Sequence, residues 1–234
     1  MKLYYILAFG TLLCSQLCSS ASAAMASEEP YNSGIVIRWK DCKQRIDGFG
    51  IAQAGWAKEL FAFKNREQVM DKMFGKDGLR LNILRGEIFP HYWENETDKD
   101  FNLNDDIHIE LSDSDFINKS DDLLRRGQLW LTLKAKNKYH ISKLVFSTWS
   151  APAWMKSNGK VSNGRLKTEC YTDFANYLAA FYNAYKSKGI APYAISPSNE
   201  PGYAAPWNSS LWTADEMGKF ITSYLSLIHI SEPT

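Results

Sequence analysis

Segments with strand-like alternation and segments with helical spacing follow one another along this chain, and that order limits the fold more than any other feature. Residues 45–52, 79–85, 143–147 and 192–196 read as strands, after a preliminary one at 34–39. Between and after them, residues 66–74, 127–136 and 171–188 read as helices, and a last helix starts at Thr213, where Glu216 completes a capping box. The 171–188 segment is the clearest. Phe174, Tyr177, Leu178, Phe181, Tyr182 and Tyr185 fall on one face, and Gly189 follows as a stop. Four strand–helix units in succession imply a parallel sheet, either open or closed into a barrel. A full eightfold barrel takes about 250 residues, so four units point to an α/β chain forming the first half of a (β/α)8 TIM barrel.

Composition narrows the class of molecule. The 234 residues are 45% apolar and carry a net charge of +1, which suits an ordinary globular core and excludes a polybasic nucleic-acid binder. Charge is uneven all the same. From Glu94 to Asp122 there are eleven acids and two lysines, which reads as a solvated surface insertion. The eight tryptophans are the more telling excess, because flat apolar rings suit sugars as well as cores.

Both ends read as something other than fold. A positive start at Lys2, an apolar run from Tyr4 to Leu13 and small residues ending in Ala21-Ser22-Ala23 form the layout of a secretory signal. Residues 1–23 are therefore expected to be a signal peptide and the protein to be secreted. The apolar run falls short of the roughly 20 residues of a membrane span. Residues 24–224 are the expected barrel half. Residues 225–234, Leu-Ser-Leu-Ile-His-Ile-Ser-Glu-Pro-Thr, resemble a translated sequencing adapter and are expected to carry no function. Cys42 and Cys170 would remain after cleavage, and their spacing does not decide whether they pair. Sequons at Asn95, Asn118 and Asn208 fit a secreted surface.

Special residues gather where the strands end. Gly48-Phe49-Gly50 follows the first, Arg85-Gly86-Glu87 the second, Trp149-Ser150-Ala151-Pro152 the third and Asn199-Glu200-Pro201 the fourth. That edge carries the site in barrels and in open parallel sheets. A dinucleotide fingerprint would need a third glycine at position 53, where Gln53 stands. Glu200 is the candidate of greatest interest. A glycosidase needs a carboxylic acid to protonate the leaving oxygen and a second carboxylate opposite it, and a neighbouring asparagine can hydrogen-bond the sugar 2-hydroxyl. A nearby carboxylate would hold the acid protonated near neutral pH. The other reading of Glu200 is a loop carboxylate at a helix start.

Four motifs occur in a fixed order: Gly48-Phe49-Gly50, Leu84-Arg85, Thr148-Trp149-Ser150-Ala151-Pro152-Ala153-Trp154-Met155-Lys156 and Ser198-Asn199-Glu200-Pro201. Together they resemble glycoside hydrolase family 30 over about residues 35–224. The resemblance implies a (β/α)8 barrel with an attached β-sandwich and retaining hydrolysis of β-linked glycans, without a cofactor or metal. It implies Glu200 as general acid/base. Asn199, Arg85 and Trp149 would be its substrate-binding neighbours. Tyr203 and Trp207, by their place just after that loop and not by the resemblance, read as rings that stack on sugar or else pack in the core. The family's nucleophile is a glutamate after the seventh strand, and no position here matches it. Glu216 lies in a helix and Glu232 in the suspect tail.

Other residues keep two readings each. Trp212 is a core residue or a sugar platform, Tyr92 and Trp93 core residues or a remote subsite, and Trp154 a loop anchor. Glu87 either meets substrate or pairs with Arg85. His91, His108 and His140 lack metal-ligand spacing, and Asp105, Asp106 and Glu110 lack the calcium-loop pattern. The expected partner is a β-linked polysaccharide such as xylan or β-1,6-glucan, with glucosylceramide or β-1,6-galactan as alternative substrates. Neither nucleic acid nor a membrane span is expected. A non-catalytic sugar-binding relative and an unrelated α/β binding module are the competing classes. A half barrel standing alone should also aggregate or self-associate.

Overall fold

The computed structural model describes residues 38–41, 43–53, 56–93, 95–97, 99 and 127–227. The chain divides into two units at residues 47 and 48. In the first, the described residues form a turn, with the Asp41 amide donating to the Arg38 carbonyl, and an exposed ion pair between Lys43 and Asp41. The signal-like segment, most of the preliminary strand, Cys42, Asn118, His108, the residues proposed for calcium and most of the acidic insertion lie outside the described residues.

The second unit holds a four-stranded parallel sheet. Strands β1 (Gly50–Ala52), β2 (Ile83–Ile88), β3 (Lys143–Thr148) and β4 (Ala194–Ser196) lie side by side in sequence order. Helices α1 (Ala57–Ala62) and α2 (Arg66–Phe74) link the first two strands. Helices α3 (Gln128–Tyr139) and α4 (Tyr171–Ser187) precede β3 and β4, and α5 (Ala214–Ser223) closes the series. Successive strand residues face opposite sides, so the register sorts them. Leu84, Gly86 and Ile88 of β2 share a face with Leu144, Phe146 and Thr148 of β3, and all six are buried. Phe146 shows what covers that face. Its ring centroid lies 5.0 Å from Phe181 and 4.9 Å from Tyr185, both on α4. Gly86 is opposite Phe146, and a Cβ there would lie 2.5 Å from the Phe146 ring.

The other face carries Ala52, Ile83, Arg85, Lys143, Val145 and Ser196, all partly exposed, and Glu87 and Ser147, which are buried. One face is thus covered by helices and the other is largely open, the arrangement of a partial barrel. The sequence suggests that the whole run Leu144-Val145-Phe146 would be left uncovered. Only Val145 is, because Leu144 and Phe146 point to the helices.

Several boundaries differ from those the sequence suggests. β2 begins at Ile83 rather than 79, because the Leu79 and Leu81 amides donate to the Lys72 and Met73 carbonyls at the end of α2. It runs past Arg85 through Gly86, so Arg85 lies mid-strand and not at the strand end. β1 and β4 keep only three residues each, so Gly48 and Phe49 lead into β1 and do not follow it. α3 starts after Gly127, whose φ of +78° and close approach to the Ala57 carbonyl suit only glycine. It extends to Tyr139, where His140 closes it in the left-handed conformation. α1, six residues long, is too short to show a period. On α4, Tyr182 is half-buried, with Lys186 over its ring, while Phe174, Tyr177, Leu178, Phe181 and Tyr185 are core.

The capping box on α5 is present in full. The Glu216 amide donates to Thr213 Oγ1 (3.2 Å) and the Thr213 amide donates to Glu216 Oε2 (2.6 Å). That backbone donor, with Arg165 nearby, holds the Glu216 carboxyl below the usual carboxylate range. A carboxylate so lowered stabilises the fold above its ordinary pKa, and the gain is lost as pH falls through the folded value. Glu216→Ala should cost at most about 1 kcal/mol near neutrality, since the group is solvent-screened. The gap between wild type and variant in urea titrations should close as pH falls from about 5 to 3. The open face and the two sheet edges generate a second expectation. The 234-residue chain expressed alone should elute as dimers or larger species, and light scattering showing a monodisperse monomer would contradict it.

Candidate active site

All four strands run in the same direction, so their carboxyl ends share one edge of the sheet. The loops leaving that edge carry Gln53, Phe89, Trp149 and the 197–201 segment. Arg85 connects two of these loops from within β2. Its guanidinium donates to Asn199 Oδ1 at 2.6 Å, and its Cζ sits 4.6 Å from the centre of the Trp149 ring. A charged donor to an amide oxygen and a cation over an aromatic face both fix orientation. Arg85 therefore orients Asn199 and Trp149 together, three of the sequence candidates in one cluster.

Glu200 follows Asn199. It is exposed and has φ +43°, a left-handed backbone that a residue with a Cβ adopts rarely. The surroundings enforce it. The Asn199 amide donates to the Thr148 carbonyl at 2.7 Å, Thr148 Oγ1 donates to the Pro197 carbonyl at 2.7 Å, and the Tyr203 amide donates to the Glu200 carbonyl at 2.9 Å. The Trp212 amide then donates to the Pro201 carbonyl at 2.8 Å. Backbone held in a sparse region by several bonds gathers at functional sites. Here it presents a carboxylate to solvent beside an oriented asparagine.

Tyr203 and Trp207 stand on the same loop, each about half exposed (51% and 52%), with ring centroids 6.3 Å apart at 61°. Trp212 is buried among Tyr171, Phe174 and Phe220 and belongs to the core. Tyr92 and Trp93 do too, packed on Tyr177 and, for Tyr92, Phe181. Burial removes them as a remote subsite. Trp154 is a loop anchor whose Nε1 donates to the Trp93 carbonyl at 3.3 Å.

Glu87 is buried in β2, and its backbone is clasped by Gln128, which accepts from the Glu87 amide and donates to its carbonyl, both at 2.8 Å. Gln128 also donates to the Tyr185 hydroxyl at 2.9 Å. Sequence reading missed Gln128, and only a polar residue just ahead of the apolar run Leu129-Trp130-Leu131 hinted at it. Cys170 carries a buried free thiol whose pKa burial pushes up. No group of His, Cys, Asp or Glu among the described residues is placed to hold a metal. Among them, too, no helix is long and apolar enough to cross a membrane.

A parallel α/β sheet with a carboxylate and an oriented asparagine at its carboxyl edge has the layout of a barrel-type glycoside hydrolase. Comparison with known proteins specifies the family. The Glycosyl hydrolase family 30 TIM-barrel domain matches residues 46–227, and the chain belongs to that family. The glucuronoxylanase XynC of Bacillus subtilis (strain 168) is 27% identical over 216 residues, covering 90% of this chain and 42% of that protein. The lysosomal acid glucosylceramidase of Mus musculus is 28% identical over 173 residues, 68% of this chain and 31% of that one. The solved catalytic domain of GH30 xylanase C from Talaromyces cellulolyticus superposes with a TM-score of 0.59 at 26% identity, over 76% of this chain and 42% of that one. This chain thus spans about two fifths, or less, of the length of these relatives.

The half-buried ring of Trp149 and the exposed ring of Trp207 generate a prediction about binding. Trp149→Ala and Trp207→Ala should weaken glycan affinity by about tenfold each, as loss of a flat apolar contact implies, with little change in melting temperature for Trp207→Ala. Titration calorimetry with soluble oligosaccharides, run beside thermal melts, checks this. Large melting shifts with unchanged affinity would mark both as packing residues.

Proposed function

We propose that this chain supplies the acid/base half of a secreted, retaining hydrolase of β-linked polysaccharides, with Glu200 as the general acid/base. The observation that carries the reading is the Arg85–Asn199–Trp149 cluster, which sets an amide, a ring face and Glu200 side by side at the carboxyl edge. In this mechanism protonated Glu200 gives its proton to the glycosidic oxygen as the bond to the anomeric carbon breaks. A nucleophilic carboxylate takes the sugar, and Glu200, now a base, draws a proton from the water that releases it. Asn199, with its carbonyl oxygen held by Arg85, has its amide N–H groups left to meet the sugar 2-hydroxyl. The two carboxyl groups of a retaining pair stand about 5–5.5 Å apart. We assign the second to sequence outside this chain.

An extended substrate is favoured over a single glycoside by Tyr203 and Trp207, which offer exposed rings past Glu200 where further sugar units would lie. Xylan and β-1,6-glucan are the substrates to assay first. Xylan is suggested by the relatives named as xylanases, and β-1,6-glucan by the endo-1,6-β-D-glucanase BGN16.3 of Trichoderma harzianum, 26% identical over 216 residues.

Glu200→Gln in the complete enzyme tests the role directly. Turnover of substrates with poor leaving groups should fall by about 10²–10⁴-fold, the usual contribution of a general acid. Aryl glycosides with good leaving groups should lose much less in the first step, because they depart without a proton. Equal and mild losses on both kinds of substrate would contradict the assignment.

A further inference from the structure

Lys156 is wholly buried, yet it carries a side-chain ammonium. It ends the short 3-10 turn Ala153–Met155 that follows Trp149 and β3. Its Nζ donates to Ser150 Oγ at 3.1 Å, to the Asn163 carbonyl at 2.5 Å and to the Ser209 carbonyl at 2.7 Å. Three protons meet three acceptors, one from each of three loop segments, and none of the acceptors is a carboxylate. Burial pushes the pKa down to about 8, so the group is still mostly charged near neutral pH.

The segments that meet at this ammonium are those that carry the site's aromatic walls. Ser150 adjoins Trp149. Ser209 is two residues from Trp207, and its own hydroxyl donates to the Ala205 and Trp207 carbonyls while accepting from the Asn163 amide. The excursion from Ser157 to Arg165 lies along the loop after β4. The Ser209 amide donates to the Val161 carbonyl (3.0 Å), the Leu211 amide to the Gly164 carbonyl (2.9 Å), and Ser162 bridges Asn208. At its far end Arg165 reaches Glu216 on α5 at 2.6 Å. Backbone bonds alone would let the two loops slide together. The ammonium ties both to Ser150, two residues past the end of β3.

We propose that Lys156 is a positioning residue of this site, a buried cationic pin that holds the Trp207 loop and Trp149 at a set separation. The proposal rests on the hydrolase reading for its consequence and on geometry for its substance. Lys156 exposes no surface, so it acts through Ser150 and Ser209 and touches no sugar. A methionine of similar length would fill the space but leave the buried Ser209 carbonyl and the partly buried Asn163 carbonyl without this donor.

In the complete enzyme, Lys156→Met should speed amide hydrogen exchange across residues 203–211 by about tenfold or more, with α4 exchanging as before. KM for the polysaccharide should rise by about fivefold and kcat should fall less, the pattern of lost binding geometry. Lys156→Arg, which keeps a positive donor, should recover part of both effects. Ser150→Ala, a milder change that removes one acceptor, should move the same amides in the same direction and stands in where Lys156→Met does not fold. Unchanged exchange at 203–211, or equal acceleration there and in α4, would overturn the proposal. A Glu200→Gln enzyme with full activity would instead overturn the hydrolase reading and leave the exchange pattern as it is.

Discussion

Six residues of β2 lie beside six of β3, and that register decides what each of their side chains meets. It places Gly86 against Phe146, so the one position without a side chain receives the largest ring on that face. It also gives Arg85 and Val145 to the opposite side. A shift of β3 by one residue would exchange its faces, driving Phe146 into the barrel interior. The aromatic layer of α4 makes such a shift costly. Phe181 and Tyr185 both pack on Phe146, and losing a buried phenylalanine costs about 3–5 kcal/mol.

The site depends on the same pairing. Arg85 bonds Asn199 directly and lies against the Trp149 ring just past the end of β3, while Thr148 holds the start of the next loop. Its two bonds, through the carbonyl to Asn199 and through the hydroxyl to the Pro197 carbonyl, pin the segment in which Glu200 takes its left-handed backbone. Scaffold rigidity passes to the carboxylate through ordinary hydrogen bonds. The outer loops depend on a second kind of constraint, in which buried Lys156 joins the loops after β3 and β4 outside the sheet.

Much of the sheet's periphery is less ordered by pairing than its centre. β1 and β4 contribute three residues each, and the face toward the barrel interior is partly exposed at Ala52, Ile83, Arg85 and Val145. Parallel strands are normally buried on both faces. The chain spans about two fifths of the length of the relatives it matches.

By itself the sequence determined the order of the four strands and of the helices from α2 onward, the buried face of α4, the capping box of Thr213 and Glu216, and the special residues that follow β3 and β4. These depend on local spacing, turn chemistry and period, which neighbouring residues carry among themselves. Tertiary structure decided the rest. Whether Trp212, Tyr92 and Trp93 were core or platform turned on what packs against them from distant helices. Arg85's place inside β2 turned on a glycine that is tolerated there only because Phe146 fills the space beside it. The bond from Arg85 to Asn199 spans 114 residues, and the one from Lys156 to Ser209 spans 53. No local pattern encodes such contacts, because they exist only once the parallel pairing has brought the strand ends to one edge.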